Sequence, residues 1–270
     1  MKLRIVTAVV LVPLLLAILF LAPTVVTAFL FSLLCAVGAY ELLHNTGLVR
    51  HRRLIAYAMV SALLMPLWSF WGMEAVWGKI GILVFVILLF MEIMISNMEL
   101  KFSKLAVCAF AGLVIPYLLS AIVRIIAMDN GRYYVIIPFV VGFLSDTGAY
   151  FIGCSFGKHK LAPTISPKKS VEGVFGGVGF AVVGMIVYGL IMQFAFGFEV
   201  NYGAVALYGL LGTACGVFGD LCFSVIKRQA GIKDYGNLFP GHGGVLDRFD
   251  SMVLVGAAME LLLEVFPVVM

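Results

Sequence analysis

The chain has 270 residues, of which 63% are hydrophobic and only 12% charged, with a net charge of +4 at pH 7 and a mean hydropathy of +1.12. Water-soluble globular chains are nearer about 45–50% apolar and about 25% charged, so this composition excludes a wholly water-facing surface and makes lipid the solvent for much of the chain. The five cysteines (Cys35, Cys108, Cys154, Cys215 and Cys222) lie scattered in apolar stretches with no CxxC pair, which argues against a disulfide framework or a thiolate metal site and predicts small apolar residues packed between helices.

Taken in chain order, the apolar runs predict about nine membrane-spanning helices, over 4–22, 24–44, 53–71, 77–96, 104–127, 133–152, 173–197, 203–224 and 247–268. The first run begins like a secretory signal, with Lys2 and Arg4 before it, but its apolar core exceeds the usual roughly 7–15 residues and more spans follow at once. It reads as a retained first helix, turning into the second through the weak break at Ala22–Pro23. The runs are continuously apolar rather than alternating, which favours helices over a barrel. The expected fold is therefore all-α and polytopic, with about five spans in residues 1–130 and a C-terminal transmembrane region in 131–270 that carries the two longest connections.

The basic residues orient this arrangement. With the N-terminus in the cytoplasm, that side holds Lys2, Arg4, Arg50, Arg52, Arg53, Lys101, Lys104, Lys158, Lys160, Lys168, Lys169, Lys227, Arg228, Lys233 and Arg248. The other side holds only Lys79, Arg124 and Arg132. Two connections on the cytoplasmic side, 153–172 and 225–246, are long, polar and rich in Gly and Pro. Long loops between otherwise tight spans tend to carry function, and the basic residues in and beside these two suit an anionic substrate or anionic lipid head groups. Positive-inside bias explains the sign of the charge and not the interleaved Gly, Pro, Ser and His.

Acids inside spans come next. Asp146 lies in the sixth span, Asp220 near the cytoplasmic end of the eighth, and Asp247 and Asp250 open the ninth. A charge in hydrocarbon costs at least about 2.5 kcal/mol and usually faces a polar cavity, and carboxylate oxygens beside a phosphate substrate are natural Mg²⁺ ligands. The structural alternative pairs Asp220 with Lys227 or Arg228, and Asp247 with Arg248. Glu92, Glu260 and Glu264 read as structural. Glu41, His44 and the basic residues Arg50, Arg52 and Arg53 read as an interfacial cluster, and His44 and His51 as solvated histidines.

The run Pro240-Gly241-His242-Gly243-Gly244 leads directly into a helix. Glycines let backbone approach a phosphate, and a helix start offers free N–H groups. In the other loop Lys158-His159-Lys160 and Lys168-Lys169-Ser170 can supply charge to a triphosphate. Neither loop has the GxxxxGK[ST] pattern of a Walker-type ATPase. Gly176, Gly177 and Gly179 follow no strand, and close helix packing is their expected use.

The stretch SVIKRQAGIKDYGNLFPGHGGVLDRFD, from Ser224 to Asp250, closely resembles the long signature of bacterial phosphatidate cytidylyltransferases. The stretch from Ser145-Asp146-Thr147 through Phe156-Gly157-Lys158-His159-Lys160-Leu161 to Ser166-Pro167-Lys168-Lys169-Ser170-Val171-Glu172-Gly173 is similar to that family as well. The resemblance covers the C-terminal half, and the first half matches only as a run of apolar spans. It implies Mg²⁺-dependent transfer of CMP from CTP to phosphatidic acid, giving CDP-diacylglycerol and diphosphate, in a multi-pass protein of the bacterial inner membrane whose site faces the cytoplasm.

On that resemblance Asp220 and Asp247 hold Mg²⁺, one ion or two, with a monovalent cation as a further candidate, and Asp146 stands nearby. Lys227 and Arg248 join these acids in catalysis. Lys158, Lys160, Ser166, Lys168, Lys169, Ser170, Glu172, Ser224, Arg228, Lys233, Asp234, His242, Gly243, Gly244 and Asp250 are expected to bind substrate. His242 reads as a phosphate donor rather than a base, because the nucleophile is already an anion. The second loop is expected to hold CTP and its leaving diphosphate, and the first, read as flexible and Pro-broken, to grip the phosphatidate head group. Membrane lipid is an expected partner and nucleic acid is not; a homodimer is left open. The rivals are an ion-coupled secondary transporter using the acids as an ion path and a lipid-binding scaffold without chemistry. A transporter has no need to gather phosphate-binding loops on one face.

Overall fold

In the computed structural model, which describes residues 2–239, 241 and 243–268 and the side chains of all of these except 2–8, 10, 11 and 74, the apolar runs are helices. Helix α1 (Lys2–Leu21) and α2 (Thr24–Tyr40) are parted at Ala22 and Pro23, because proline disfavours helical backbone in the residue before it. Arg132 closes the end of α1, donating from Nη1 to Phe20 O at 3.3 Å and from Nη2 to Ala22 O at 3.2 Å. Helix α2 runs on into a π-helical turn, Glu41–Asn45. After α3 (Arg52–Phe70) and α4 (Trp77–Ile95), the fifth run is divided into α5 (Phe102–Ala109), a π-helical turn (Phe110–Val114), α6 (Ile115–Leu119) and α7 (Ala121–Ala127). Pro116 has no N–H for the carbonyl of Gly112, which accepts from Ser61 Oγ at 2.8 Å.

Helices α8 (Gly131–Tyr134) and α9 (Ile137–Phe156) lead to a short antiparallel hairpin of β1 (Lys160–Ala162) and β2 (Ser166–Ser170). The first long loop is thus an ordered hairpin set among helices, where the sequence suggests a flexible segment. Helix α10 (Val171–Phe196) and α11 (Tyr202–Gln229) follow. The ninth run is broken into α12 (Leu246–Phe249) and α13 (Met252–Val265). At the break, Asp250 Oδ1 accepts the Ser251 N–H at 2.8 Å, a local bond that competes with the helical ladder.

By length and composition, seven helical stretches among the described residues can cross a bilayer: 24–45, 52–70, 77–95, 102–127, 131–156, 171–196 and 202–229. The other two of the nine expected spans correspond to α1, whose described apolar part is Val12–Leu21, and to the broken α12–α13 run. The architecture is that of an all-α, polytopic membrane protein with one hairpin among the described residues. Large apolar side chains without protein cover, such as Leu83, Met94, Phe175 and Phe194, fit lipid as their solvent.

The chain folds as two compact units: residues 1–132 with 227–249, and residues 133–226 with 250–270. In the first, α2 packs on α3, and buried Glu92 accepts from Tyr57 Oη at 3.0 Å with Arg53 Nη1 at 3.6 Å and His51 Nε2 at 3.9 Å. Glu92 therefore has the structural part expected of it, whereas His51 is half-buried beside it rather than freely solvated. In the second unit α9 and α10 form the main pair, and glycines allow their approach. A Cβ at Gly177 would lie 2.8 Å from the Ser145 carbonyl oxygen, and one at Gly176 would lie 2.4 Å from Cβ of Ile152. Gly179 differs, since a Cβ there would meet open space. Of the cysteines, Cys35 and Cys108 are buried, but Cys154 is exposed near the C-terminal end of α9.

Candidate active site

The second loop returns to the first unit because its buried side chains have partners there. Leu246 packs beside Gly38 of α2, the Phe249 ring meets Phe31 edge-on at 6.0 Å, and Asn45 Nδ2 donates to the Tyr235 carbonyl at 2.8 Å. At the centre of the loop stands Asp247. Its Oδ1 accepts from Lys227 Nζ at 3.0 Å, and its Oδ2 accepts the backbone N–H groups of Tyr235 at 2.7 Å and Gly244 at 2.9 Å. The Lys227 and Asp247 side chains are 10% and 2% exposed, and Lys227 Nζ also lies 5.3 Å from the centroid of the buried Tyr235 ring. A charge pair this buried is tolerated only when its remaining hydrogen-bonding capacity is met, and three donors on one carboxylate meet it.

Glycine is needed at two positions here. Gly243 has φ of +89°, and a Cβ on it would lie 2.7 Å from Asp247 Oδ2. Gly244 lies against the Glu41 carboxylate, leaving no room for a side chain. Glu41, from the π-helical turn after α2, accepts the N–H of Val245 at 3.0 Å on Oε1 and of Leu246 at 2.9 Å on Oε2. The N–H groups of Gly244, Val245 and Leu246, expected from sequence to face a phosphate, are therefore engaged by two carboxylates of the chain itself. Glu41 is buried and is not the interfacial acid the sequence suggests. The remaining sequence-predicted residues of this unit, Arg228, Lys233, Asp234 and Arg248, are exposed, and Arg228 Nη1 donates to Ile232 O at 3.4 Å past the end of α11. His242 falls outside the described residues.

The second unit carries a more open group of side chains. Asp220, on α11, pairs through Oδ2 with Lys169 of β2, and its Oδ1 accepts from Ser224 Oγ, one helical turn on, at 3.3 Å. The Lys169 and Asp220 side chains are 24% and 28% exposed. Neither acid takes the lysine or arginine that sequence proximity suggests: Asp220 takes Lys169 from the hairpin, and Asp247 takes Lys227. Gly219, the neighbour of Asp220, packs on the turn at Asp250, where a Cβ would lie 2.9 Å from the Asp250 carbonyl oxygen. The hairpin is fixed at its base. Ser170 Oγ caps α10 by accepting the Gly173 N–H at 3.2 Å, and Glu172 accepts from the backbone N–H of His159 at 3.2 Å and faces its Nδ1 at 2.6 Å. Ser170 and Glu172, predicted as substrate groups, thus hold the hairpin to the helix. Lys158, Lys160 and Lys168 are exposed on it, Ser166 is half-buried in β2, and Asp146 is exposed on α9.

Two residues central to this geometry, Glu41 and Tyr235, are not among the site residues that the sequence predicts. Tyr235 sits inside the signature stretch. Glu41 lies 204 positions from Val245, and its sequence neighbours give no sign of that partner.

The chain's sequence matches the profile of the Cytidylyltransferase family over residues 2–266. It is 34% identical over 276 residues to a phosphatidate cytidylyltransferase of Bacillus subtilis (strain 168), covering 98% of each chain. It is 31% identical over 271 residues to a phosphatidate cytidylyltransferase of Staphylococcus haemolyticus (strain JCSC1435), covering 97% of this chain and 99% of the other. With one from Staphylococcus aureus (strain COL) it shares 40% identity over 135 residues, half of each chain.

Proposed function

We propose that this chain, which belongs to the cytidylyltransferase family, transfers the CMP moiety of CTP to phosphatidic acid, releasing diphosphate and forming CDP-diacylglycerol for phospholipid synthesis. The observation that carries this reading is similarity along nearly the whole chain to proteins of that name, joined to two lysine–aspartate pairs in stretches rich in basic residues. A phosphatidate oxygen forms a bond to the α-phosphorus of CTP. The bond from that phosphorus to the bridging oxygen breaks, and the electron pair leaves with diphosphate. The nucleophile is anionic throughout, so positioning and charge neutralisation dominate and no strong base is needed.

For the cation, the chemistry of the donor set is the relevant test. Among the described residues no three His, Cys, Asp or Glu side chains gather as a ready-made cation cage. Mg²⁺ instead takes one or two carboxylates together with substrate phosphates and water, and Asp220 and Asp247, each within its own unit, are the carboxylates proposed for it. Asp220 is the more open of the two, and Asp247 keeps the lone pairs its three donors leave. Bound there, Mg²⁺ would neutralise phosphate charge that develops during transfer. Asp146 and Asp250 are proposed as further oxygen donors, Lys227 and Arg248 as cationic groups toward the diphosphate, and Lys158, Lys160 and Lys168 as contacts to the phosphatidate head group.

We further propose nine spans with the N-terminus in the cytoplasm of a bacterial inner membrane. The bias of fifteen basic residues against three supports this orientation. Cysteines placed at Ser166 and Asn237 in a cysteine-free background should label only from the cytoplasmic side. Labelling of either from outside intact cells overturns the orientation. The activity is tested with the protein purified in detergent and supplied with CTP, phosphatidate and Mg²⁺. Diphosphate release that requires phosphatidate, with cytidine appearing in the lipid fraction, is expected. Absence of release, or release independent of phosphatidate, refutes the reading.

A further inference from the structure

We infer that Glu41, in the N-terminal half of the chain, is a positioning residue for the transfer reaction: it anchors the glycine-rich turn that holds Asp247 and, through it, Lys227. The inference rests on the proposed activity and assigns a role to a residue outside the signature stretch.

Glu41 is 3% exposed, and an ionised group so placed is costly unless hydrogen bonds satisfy it. Its bonds come from two consecutive amides, Val245 N and Leu246 N, at 3.0 and 2.9 Å, one to each carboxylate oxygen. Charge-assisted bonds of this kind are short and strong. They fix the orientation of the peptide planes just before Asp247, whose Oδ2 takes the next amide back, that of Gly244. The same oxygen takes Tyr235 N, while Asn45, four residues after Glu41, holds the Tyr235 carbonyl. One π-helical turn therefore pins both strands of the loop that Asp247 joins.

The glycines support the same assignment. A side chain at Gly236 or Gly244 would collide with the Glu41 carboxylate. Among the described residues, the space that two signature glycines leave is filled by this carboxylate. Their small size thus makes room for the anchor. If the anchor is lost, the ammonium of Lys227 keeps its bond to Asp247, but Asp247 loses the fixed backbone around it. The expected defect lies in the productive placement of Lys227, whose proposed role is toward the nucleotide's phosphates, more than in capture of lipid.

The experiment uses the full chain in detergent, with diphosphate release measured against each substrate in turn. Wild-type activity is established first, so failure of the functional reading is seen separately. Glu41→Gln removes one acceptor and sets an NH₂ against a backbone donor. It should lower kcat/KM for CTP by about tenfold or more, the scale of one lost charged hydrogen bond, while KM for phosphatidate stays within about twofold. Glu92→Gln is the control for loss of a buried carboxylate in the same unit. It should lower thermal stability without the selective CTP defect. Should Glu41→Gln fail to accumulate, Asn45→Ala serves in its place. Asn45 is exposed, so its truncation spares folding, and it should reproduce the CTP-directed loss at about two- to fivefold. Wild-type kcat/KM for CTP in Glu41→Gln, or in Asn45→Ala when that stands in, overturns the inference. Parallel losses toward both substrates in Glu41→Gln and Glu92→Gln overturn it as well.

Discussion

The two lysine–aspartate pairs share their chemistry and differ in their surroundings. Lys227–Asp247 is sealed, with side chains 10% and 2% exposed and three donors on the carboxylate; Lys169–Asp220 is open, with side chains 24% and 28% exposed and one serine hydroxyl beside it. Breaking a buried pair leaves a bare charge in a poor solvent and costs about 3–5 kcal/mol. A more exposed pair leaves a less isolated charge when it is broken, so its loss costs less. The sealed pair therefore belongs to the architecture of the loop as well as to its proposed chemistry. The open pair is free to exchange partners, which is what a carboxylate needs if a cation is to replace its lysine.

The sharpest way to break this comparison is to neutralise each acid. Asp247→Asn should lose both stability, by about 3–5 kcal/mol in thermal or denaturant unfolding in detergent, and nearly all diphosphate release. Asp220→Asn should lose release by about 100-fold or more, the scale of a removed electrostatic stabiliser, while its unfolding midpoint stays near wild type. Equal destabilisation by the two variants would mean that the pairs are alike.

A second test concerns the exchange of partners. Chelation of divalent cations should abolish diphosphate release, and added Mg²⁺ should restore it. Ser224→Ala, which removes the hydroxyl on Asp220, should raise the Mg²⁺ concentration for half-maximal rate by about three- to tenfold, in line with the loss of a supporting group outside the ligand set. Full activity without any divalent cation would remove Asp220 from the role proposed for it.

The smallest expected effects separate neighbours in the hairpin. Lys169 pairs with Asp220 and Lys168 is exposed. Lys169→Ala should therefore act chiefly on kcat, whereas Lys168→Ala should raise the apparent KM for phosphatidate by about two- to fivefold, a change of less than one charged hydrogen bond. This refines the expectation from sequence, in which the two lysines act together on phosphatidate. Equal effects on both parameters from both variants would favour one indivisible site.

Much of the molecule was determined by its sequence alone. A 63% apolar chain in runs of about 20 residues leaves helices in lipid as the outcome, since unpaired backbone in hydrocarbon is prohibitive. The acids Asp220 and Asp247 stand out in sequence for the same reason: a charge in an apolar run is costly unless it has a purpose. The tertiary structure decided the partners. Local spacing offers Asp220 the cations of its own helix and Asp247 its neighbour Arg248, yet Asp220 pairs with Lys169 and Asp247 with Lys227. It also decided that the helix-start amides of the glycine-rich turn are held by Glu41 and Asp247, and that the first loop is a hairpin braced by Ser170 and Glu172. Hydrophobic periodicity is a local property that any window of sequence displays. The pairing of buried charges depends on which backbone amides and side chains are brought within about 3 Å, and for Glu41 and Val245 that meeting spans 204 positions of chain.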